Sequence, residues 1–381
     1  MKTTFITAAL LATIFSFAHT ATTVNPQTVA IHKADNTKIQ VALLLDTSNS
    51  MDGLIDQAKS HLWNIVNTLT TLKYNGKTPD IEIALYEYGN NGLSQTANYI
   101  RQVTPLSTDL DLISEKLFSL RTNGGAEYCG AVIQDATRQL QWKTDTNSMK
   151  LIYIAGNEAF DQGSISYKEA ISDALKKDIY VNTIFCGDYD EGISSLWKNG
   201  AETGKGKYFN IDSNLAVQYI LTPYDAKIAD CSSRINATYI GYGASGRAKK
   251  MNQEVQDKNA ESVSAANYAE RAVSKSKAIY KNESWDLVDK VKEDKDAITK
   301  IRKEELPKEL QNKSKAELKT LIEAKTKERE SIQQEIAQLA KKRQEYIDTE
   351  NKKTKSQDDL GNAINSSITA YAKAKGYTVE K

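Results

Sequence analysis

The sequence predicts an α/β protein: a mostly parallel six-stranded sheet with helices on both faces, followed by a long helical region. Three observations carry this expectation. From about Lys38 to about Phe209, short apolar runs alternate with amphipathic segments. The first run, Val41–Leu45, is apolar throughout, as a strand buried on both faces must be. Beyond about Tyr242 strand signals fade, and Lys, Glu, Gln and Ala dominate, with Pro307 the one proline.

In chain order, the first segment is a targeting signal. Lys2 precedes an apolar stretch from Phe5 to Phe17, and small residues around Ala18 offer cleavage sites. The stretch falls short of the ~20 residues that span a bilayer. Residues 1–21 therefore read as an export signal, residues 22–37 as a linker, and the mature chain as periplasmic or extracellular. No later stretch is apolar for long enough to be an integral membrane helix.

Strand Val41–Leu45 leads into a helix whose Leu54, Ala58, Leu62, Ile65, Val66 and Leu69 share one face. Further strands are expected at Ile81–Tyr88, Leu151–Ala155 and Ile179–Phe185, with a polar edge strand at Asn98–Val103 and a short last strand at Lys207–Ile211. Helices are expected at Asp109–Leu120, Cys129–Trp142, Tyr167–Lys177 and Ile193–Thr203. Strand and helix alternating in this way imply parallel strands joined by crossovers. Residues 38–231 form the expected α/β domain and 232–246, with three glycines, a linker. Residues 247–381 form the helical region, a hairpin or a coiled coil. Within it Ile332, Ile336, Leu339, Arg343 and Tyr346 fall at spacings of four and three, as a packing seam does. That seam makes self-association a further expectation. Ser314 followed by Glu317 marks a helix start.

Composition narrows the function. The 50 basic and 49 acidic residues of the 381 nearly cancel, which argues against a nucleic-acid binder and its uncompensated basic face. Cys129, Cys186 and Cys231 are too far apart for a CxxC site. Export permits one disulfide among them, with Cys129–Cys186 the pairing the predicted loop edges favour and three reduced thiols the alternative. The three histidines lie in the signal segment, the linker and the first helix. Neither a nucleophile elbow nor a P-loop spacing is present. A non-enzymatic protein is the expectation.

The chemistry sits at the end of the first strand, in Asp46-Thr47-Ser48-Asn49-Ser50. Ligands of open parallel sheets bind outside the carboxyl ends of the strands. One carboxylate and two hydroxyls at alternating positions suit a hard cation such as Mg²⁺, which takes oxygen ligands and keeps several waters. The spacing turns Asp46, Ser48 and Ser50 to one point and Thr47 and Asn49 elsewhere. A helix cap at Ser50 and Asp52 is the plain alternative.

This Asp-x-Ser-x-Ser loop resembles the metal-ion-dependent adhesion site of the von Willebrand factor type A domain family. The resemblance covers about Lys38 to Tyr224 and extends to Gly124-Gly125-Ala126-Glu127 before a helix. It implies a Rossmann-like sheet that binds a protein ligand through a divalent cation (Mg²⁺, or Mn²⁺ or Ca²⁺), an acidic side chain of the partner completing the coordination. Two departures stand out. Glu127 falls near the place of the family's second-loop Thr, with Thr122 a further candidate. Gly156 stands where the third loop usually brings an Asp, leaving Asn157, Glu158 or Asp161 to compensate. The expectation is thus an exported adhesion or envelope-assembly protein with Asp46, Ser48, Ser50, Glu127 and Asn157 at a metal site. The alternatives are a structural protein with a vestigial site and, from a third class, a metal-dependent hydrolase.

Overall fold

In the computed structural model, residues 37–215, 217–353 and 360–380 are described; the expected export signal, and the linker up to residue 36, lie outside them. The strands are β1 (Lys38–Asp46), β2 (Leu72–Lys73), β3 (Asp80–Tyr88), β4 (Ile100–Ser107), β5 (Met149–Gly156), β6 (Tyr180–Cys186), β7 (Lys205–Ile211) and β8 (Thr378–Val379). The helices of the first half are α1 (Asp52–Thr70), α2 (Leu110–Ser119), α3 (Cys129–Gln139), α4 (Tyr167–Lys176), α5 (Tyr189–Ser194) and α6 (Trp197–Thr203). Those of the second half are α7 (Asp225–Asn236), α8 (Gly243–Val263), α9 (Ala265–Ser276), α10 (Leu287–Glu293), α11 (Ala297–Lys300), α12 (Lys315–Asn351) and α13 (Leu360–Ala374).

Six strands form one sheet in the order β4-β3-β1-β5-β6-β7. All neighbours are parallel except β4, which runs antiparallel to β3 at the edge. β1 is central, which explains its unbroken apolar run. Its side chains alternate between faces: Val41, Leu43 and Leu45 join the layer of α1 and α2, whereas Ala42 and Leu44 join that of α3 and α4. The six positions expected on the inner face of α1 are all buried. Strand order reverses at β1, so the carboxyl ends of β1 and β5 flank the crevice where such sheets bind ligands.

Two local departures have backbone causes. Asn98 and Tyr99 take φ of 54° and 53°, which delays the edge strand to Ile100. Leu196, at φ 73°, splits the expected helix Ile193–Thr203 into α5 and α6.

The helical region does not form a separate body. The described residues fall in one compact unit, and the expected linker 232–246 holds the end of α7, the start of α8 and the buried Ile235, Thr238 and Tyr239. Helix α12 starts at the expected Ser314, whose hydroxyl accepts the Glu317 N–H at 3.2 Å while its own N–H donates to the Glu317 carboxylate at 2.8 Å. Most of its seam faces inward: Ile332 and Ile336 are in the core, and Leu339 packs against it, whereas Tyr346, the last expected seam position, is exposed because the helix has by then run past its partners. Arg343 ion-pairs with Asp225 of α7 at 2.7 Å. Within the chain, the long helix thus finds its partners in the short helices α7, α9, α10 and α11.

The C-terminal segment closes the α/β domain, which the expected boundary at 231 misses. Ile364 and Ile368 of α13 lie in the core beneath α1 and the sheet. Tyr153 of β5 and Ser367 are hydrogen-bonded at 2.5 Å, and Tyr371 donates to the Lys205 carbonyl at 2.9 Å. The last residues pair β8 with β2. Among the described residues, no helix is long and apolar enough to cross a membrane.

Candidate metal centre

Asp46 ends β1 with its Cα opposite Tyr88 of β3, and its side chain is fully buried. One carboxylate oxygen, Oδ1, accepts the Ser48 N–H at 2.7 Å; the other, Oδ2, has no hydrogen-bond partner. The bond from Ser48 curls the loop, so that Ser48 and Ser50 converge with their hydroxyl oxygens 3.3 Å apart. Thr47 turns away, as the alternation predicts. Its N–H donates to the Tyr88 carbonyl at 2.9 Å, and its carbonyl accepts the Asn123 N–H at 2.9 Å. Those two bonds tie the loop to the end of β3 and to the segment before α3.

Glu127 comes from that segment, just before α3, and is buried beside Asp46. Its Oε2 is also without a partner. Two carboxylates with unpartnered oxygens are both acceptors, so one of them needs a proton or the two need a cation. Burial is the main force that raises both groups above the usual carboxylate range; for Glu127 the adjacent Asp46 raises it further, and the charge of Glu158 adds to both. Without a cation the pair therefore retains protons well above the pH where an exposed carboxyl loses them.

Two glycines shape the pocket. Gly89, at φ +76°, would with a Cβ meet Glu127 Cγ at 2.7 Å and Asp46 Oδ1 at 2.8 Å. Gly125 passes so close to the backbone that a Cβ would lie 2.6 Å from the Gly89 carbonyl oxygen. Of the expected Gly-Gly loop, Gly125 is thus required by its packing on the turn after β3, whereas a Cβ at Gly124 would meet the Asn49 side chain no closer than 3.3 Å. In the sequence, Tyr88-Gly-Asn-Asn-Gly92 after an apolar strand carries the signal of a tight turn but no sign that Gly89 borders this site.

A family model described as the von Willebrand factor type A domain matches residues 40–222. This segment is a von Willebrand factor type A domain. No curated protein matches the chain. Among solved structures, the chain resembles proximal thread matrix protein 1 from the mussel byssus, at 13% identity over 46% of this chain and 42% of that one, with a TM-score of 0.35. One structure of the mussel protein is described as having a zinc-occupied adhesion-site motif. It also resembles BatB from Bacteroides thetaiotaomicron (16% identity, 58% of this chain and 99% of that one, TM-score 0.35). A third is the pilus adhesin SpaC from Lactobacillus rhamnosus GG (12%, 47% and 28%, TM-score 0.34). The chain thus spans less than half of the mussel protein.

In the type A domain the other candidates divide. Asn157 joins the loop, its Nδ2 donating to the Ser50 hydroxyl at 3.2 Å, with its Oδ1 buried and unpartnered. Glu158 is exposed and acts on the pair through its charge. Thr122 hydrogen-bonds Asp52 at the start of α1 and is engaged there. Asp161 is exposed, and its charge acts on Tyr167. Among the described residues no three His, Cys, Asp or Glu side chains gather in a metal-binding group, so an ion at this site would depend on hydroxyls as well as carboxylates. The cysteines are free and buried. Cys129 belongs to the core under α3 and α4, whereas Cys186 and Cys231 belong to the opposite one. The Cys129–Cys186 pairing is therefore not made, because the sheet separates their layers.

Proposed function

We propose that this is an exported, non-enzymatic binding protein whose type A domain engages a protein ligand through a divalent cation. The observation that carries the reading is the facing pair Asp46 and Glu127, each buried with a free oxygen, beside the converging hydroxyls of Ser48 and Ser50. These donors are all oxygen, which suits Mg²⁺, Mn²⁺ or Ca²⁺. Asp46 and Glu127 would hold the ion by charge, Ser48 and Ser50 by their hydroxyls, and Asn157 would steady Ser50. A bound cation supplies an electrophilic centre that an oxygen donor of the partner, an acidic side chain in the expected case, completes. The type A domain supports a protein-interaction role in general terms.

Calorimetric titration of the full chain with each cation, beside Asp46→Ala, tests the reading. Binding is expected in the wild type and lost in the variant, with a cation-dependent rise in melting temperature. Capture of envelope or extracellular proteins should then depend on the cation and fail with chelator. A structural or assembly role is the second reading. Gly156 favours it, because it leaves no side chain where an Asp is expected and the loop's Glu158 and Asp161 are exposed; an absence of cation binding would decide for it.

A further inference from the structure

The empty third-loop position and the unusual Glu127 have a common steric cause. Tyr88 ends β3 and is fully buried. Its ring lies in the core under α3 and α4, and its hydroxyl donates to the Ala155 carbonyl at 3.0 Å, with Cys129 Sγ at 3.9 Å. A Cβ added at Gly156 would lie 2.5 Å from that hydroxyl and 3.1 Å from Asp46 Oδ2. No side chain fits there while Tyr88 stays, and the core holds Tyr88 in place. On the other side of Asp46, Gly89 leaves open the space that Glu127 fills.

We infer that Tyr88 is a specificity-determining positioning residue of the cation site: its hydroxyl takes the space of a third-loop side chain at position 156, so the second carboxylate comes from Glu127. This rests on the cation reading above. Both negative charges then arise from the loop after β1 and the segment before α3. The end of β5 contributes the neutral Asn157 amide. Tyr88 touches no ligand itself; it acts by excluding one residue and leaving the work to another.

Two measurements test the inference. The first is a cycle in chelator, where no cation contributes. Gly156→Ala should lower the melting temperature strongly with Tyr88 present and far less with Tyr88→Phe, because the clash is with the hydroxyl. Equal losses in the two backgrounds overturn the steric claim, whatever the site binds. The second is calorimetric titration with Mn²⁺. Glu127→Gln should weaken binding at least about tenfold. Adding Gly156→Asp together with Tyr88→Phe should recover most of that loss, whereas Gly156→Asp with Tyr88 retained should not. Undiminished binding by Glu127→Gln, or equal recovery with Tyr88 retained, overturns the inference and leaves the cation reading standing. A wild type that binds no Mn²⁺, Mg²⁺ or Ca²⁺ overturns both.

Discussion

Arg271 of α9 places its Nη1 2.8 Å from Oδ1 of Asp111 on α2, with both side chains buried. The same guanidinium donates through Nε to Asp257 at 2.6 Å, and Lys275 reaches Asp257 at 2.7 Å. Four charges thus balance where the type A domain meets the helical region. Removing one partner strands the others away from water, a loss of about 3–5 kcal/mol for buried pairs. Arg271→Ala should lower stability by that order, measured by urea denaturation, and should do so in one transition. Separate unfolding of the two regions in the wild type would contradict the single body seen here.

The second prediction concerns the C-terminal closure. Ile368 is fully buried between α1 and the sheet. Ile368→Ala should cost about 2–5 kcal/mol, the range for such a deletion in a core. A chain ending at residue 353 should lose more than that and expose apolar surface to a hydrophobic dye. Normal melting of the shortened chain would show that the sheet does not need α13.

A third follows from the carboxyl pair in metal-free protein. Folding raises Asp46 from 3.8 to about 6 and Glu127 from 4.5 to about 9. Between the unfolded and folded values the native state holds more protons than the unfolded chain, so stability falls as pH rises through that window. It is greatest below about 4 with respect to this pair and levels off above about 9. Denaturation in chelator at pH 5, 7 and 9 should show the decline, and Glu127→Gln should flatten it. Saturating cation should also remove the slope above neutrality, because it takes the place of the retained proton.

The fourth separates Thr122 from the site. Its hydroxyl is committed to Asp52, so Thr122→Ala should leave cation affinity within about twofold, since surface changes away from such features stay within ±0.5 kcal/mol. A tenfold loss by calorimetry would return Thr122 to the ligand set.

Much of this molecule can be read from local pattern. The apolar run of β1, the periodicity of α1 and the cap at Ser314 each depend on neighbours a few residues away, and each lies where the pattern puts it. The convergence of Ser48 and Ser50 beside Asp46 follows for the same reason, since alternation along Asp46–Ser50 is a local matter. Contacts between distant residues were not legible. Gln57 accepts the Leu360 N–H at 3.3 Å, and no spacing rule links a first helix to a last one. The seam of α12 illustrates the limit, for its periodicity announces a buried face without naming the partner. Tyr88 and Gly156 belong to the same class: a tyrosine at a strand end looks ordinary until its hydroxyl is found 2.5 Å from where a side chain would begin.

Closure of the sheet by α13 also sets an order of events on the ribosome. By the time β7 has been made, every strand of the main sheet exists, yet the apolar side of β5 and α1 lacks the helix that covers it. About 150 more residues must be synthesised first, which at ~5–20 residues per second takes roughly eight to thirty seconds. During that interval a nascent type A domain presents a bare hydrophobic wall. Holding factors that bind such walls would have their opportunity then, and the chain's last turns end it.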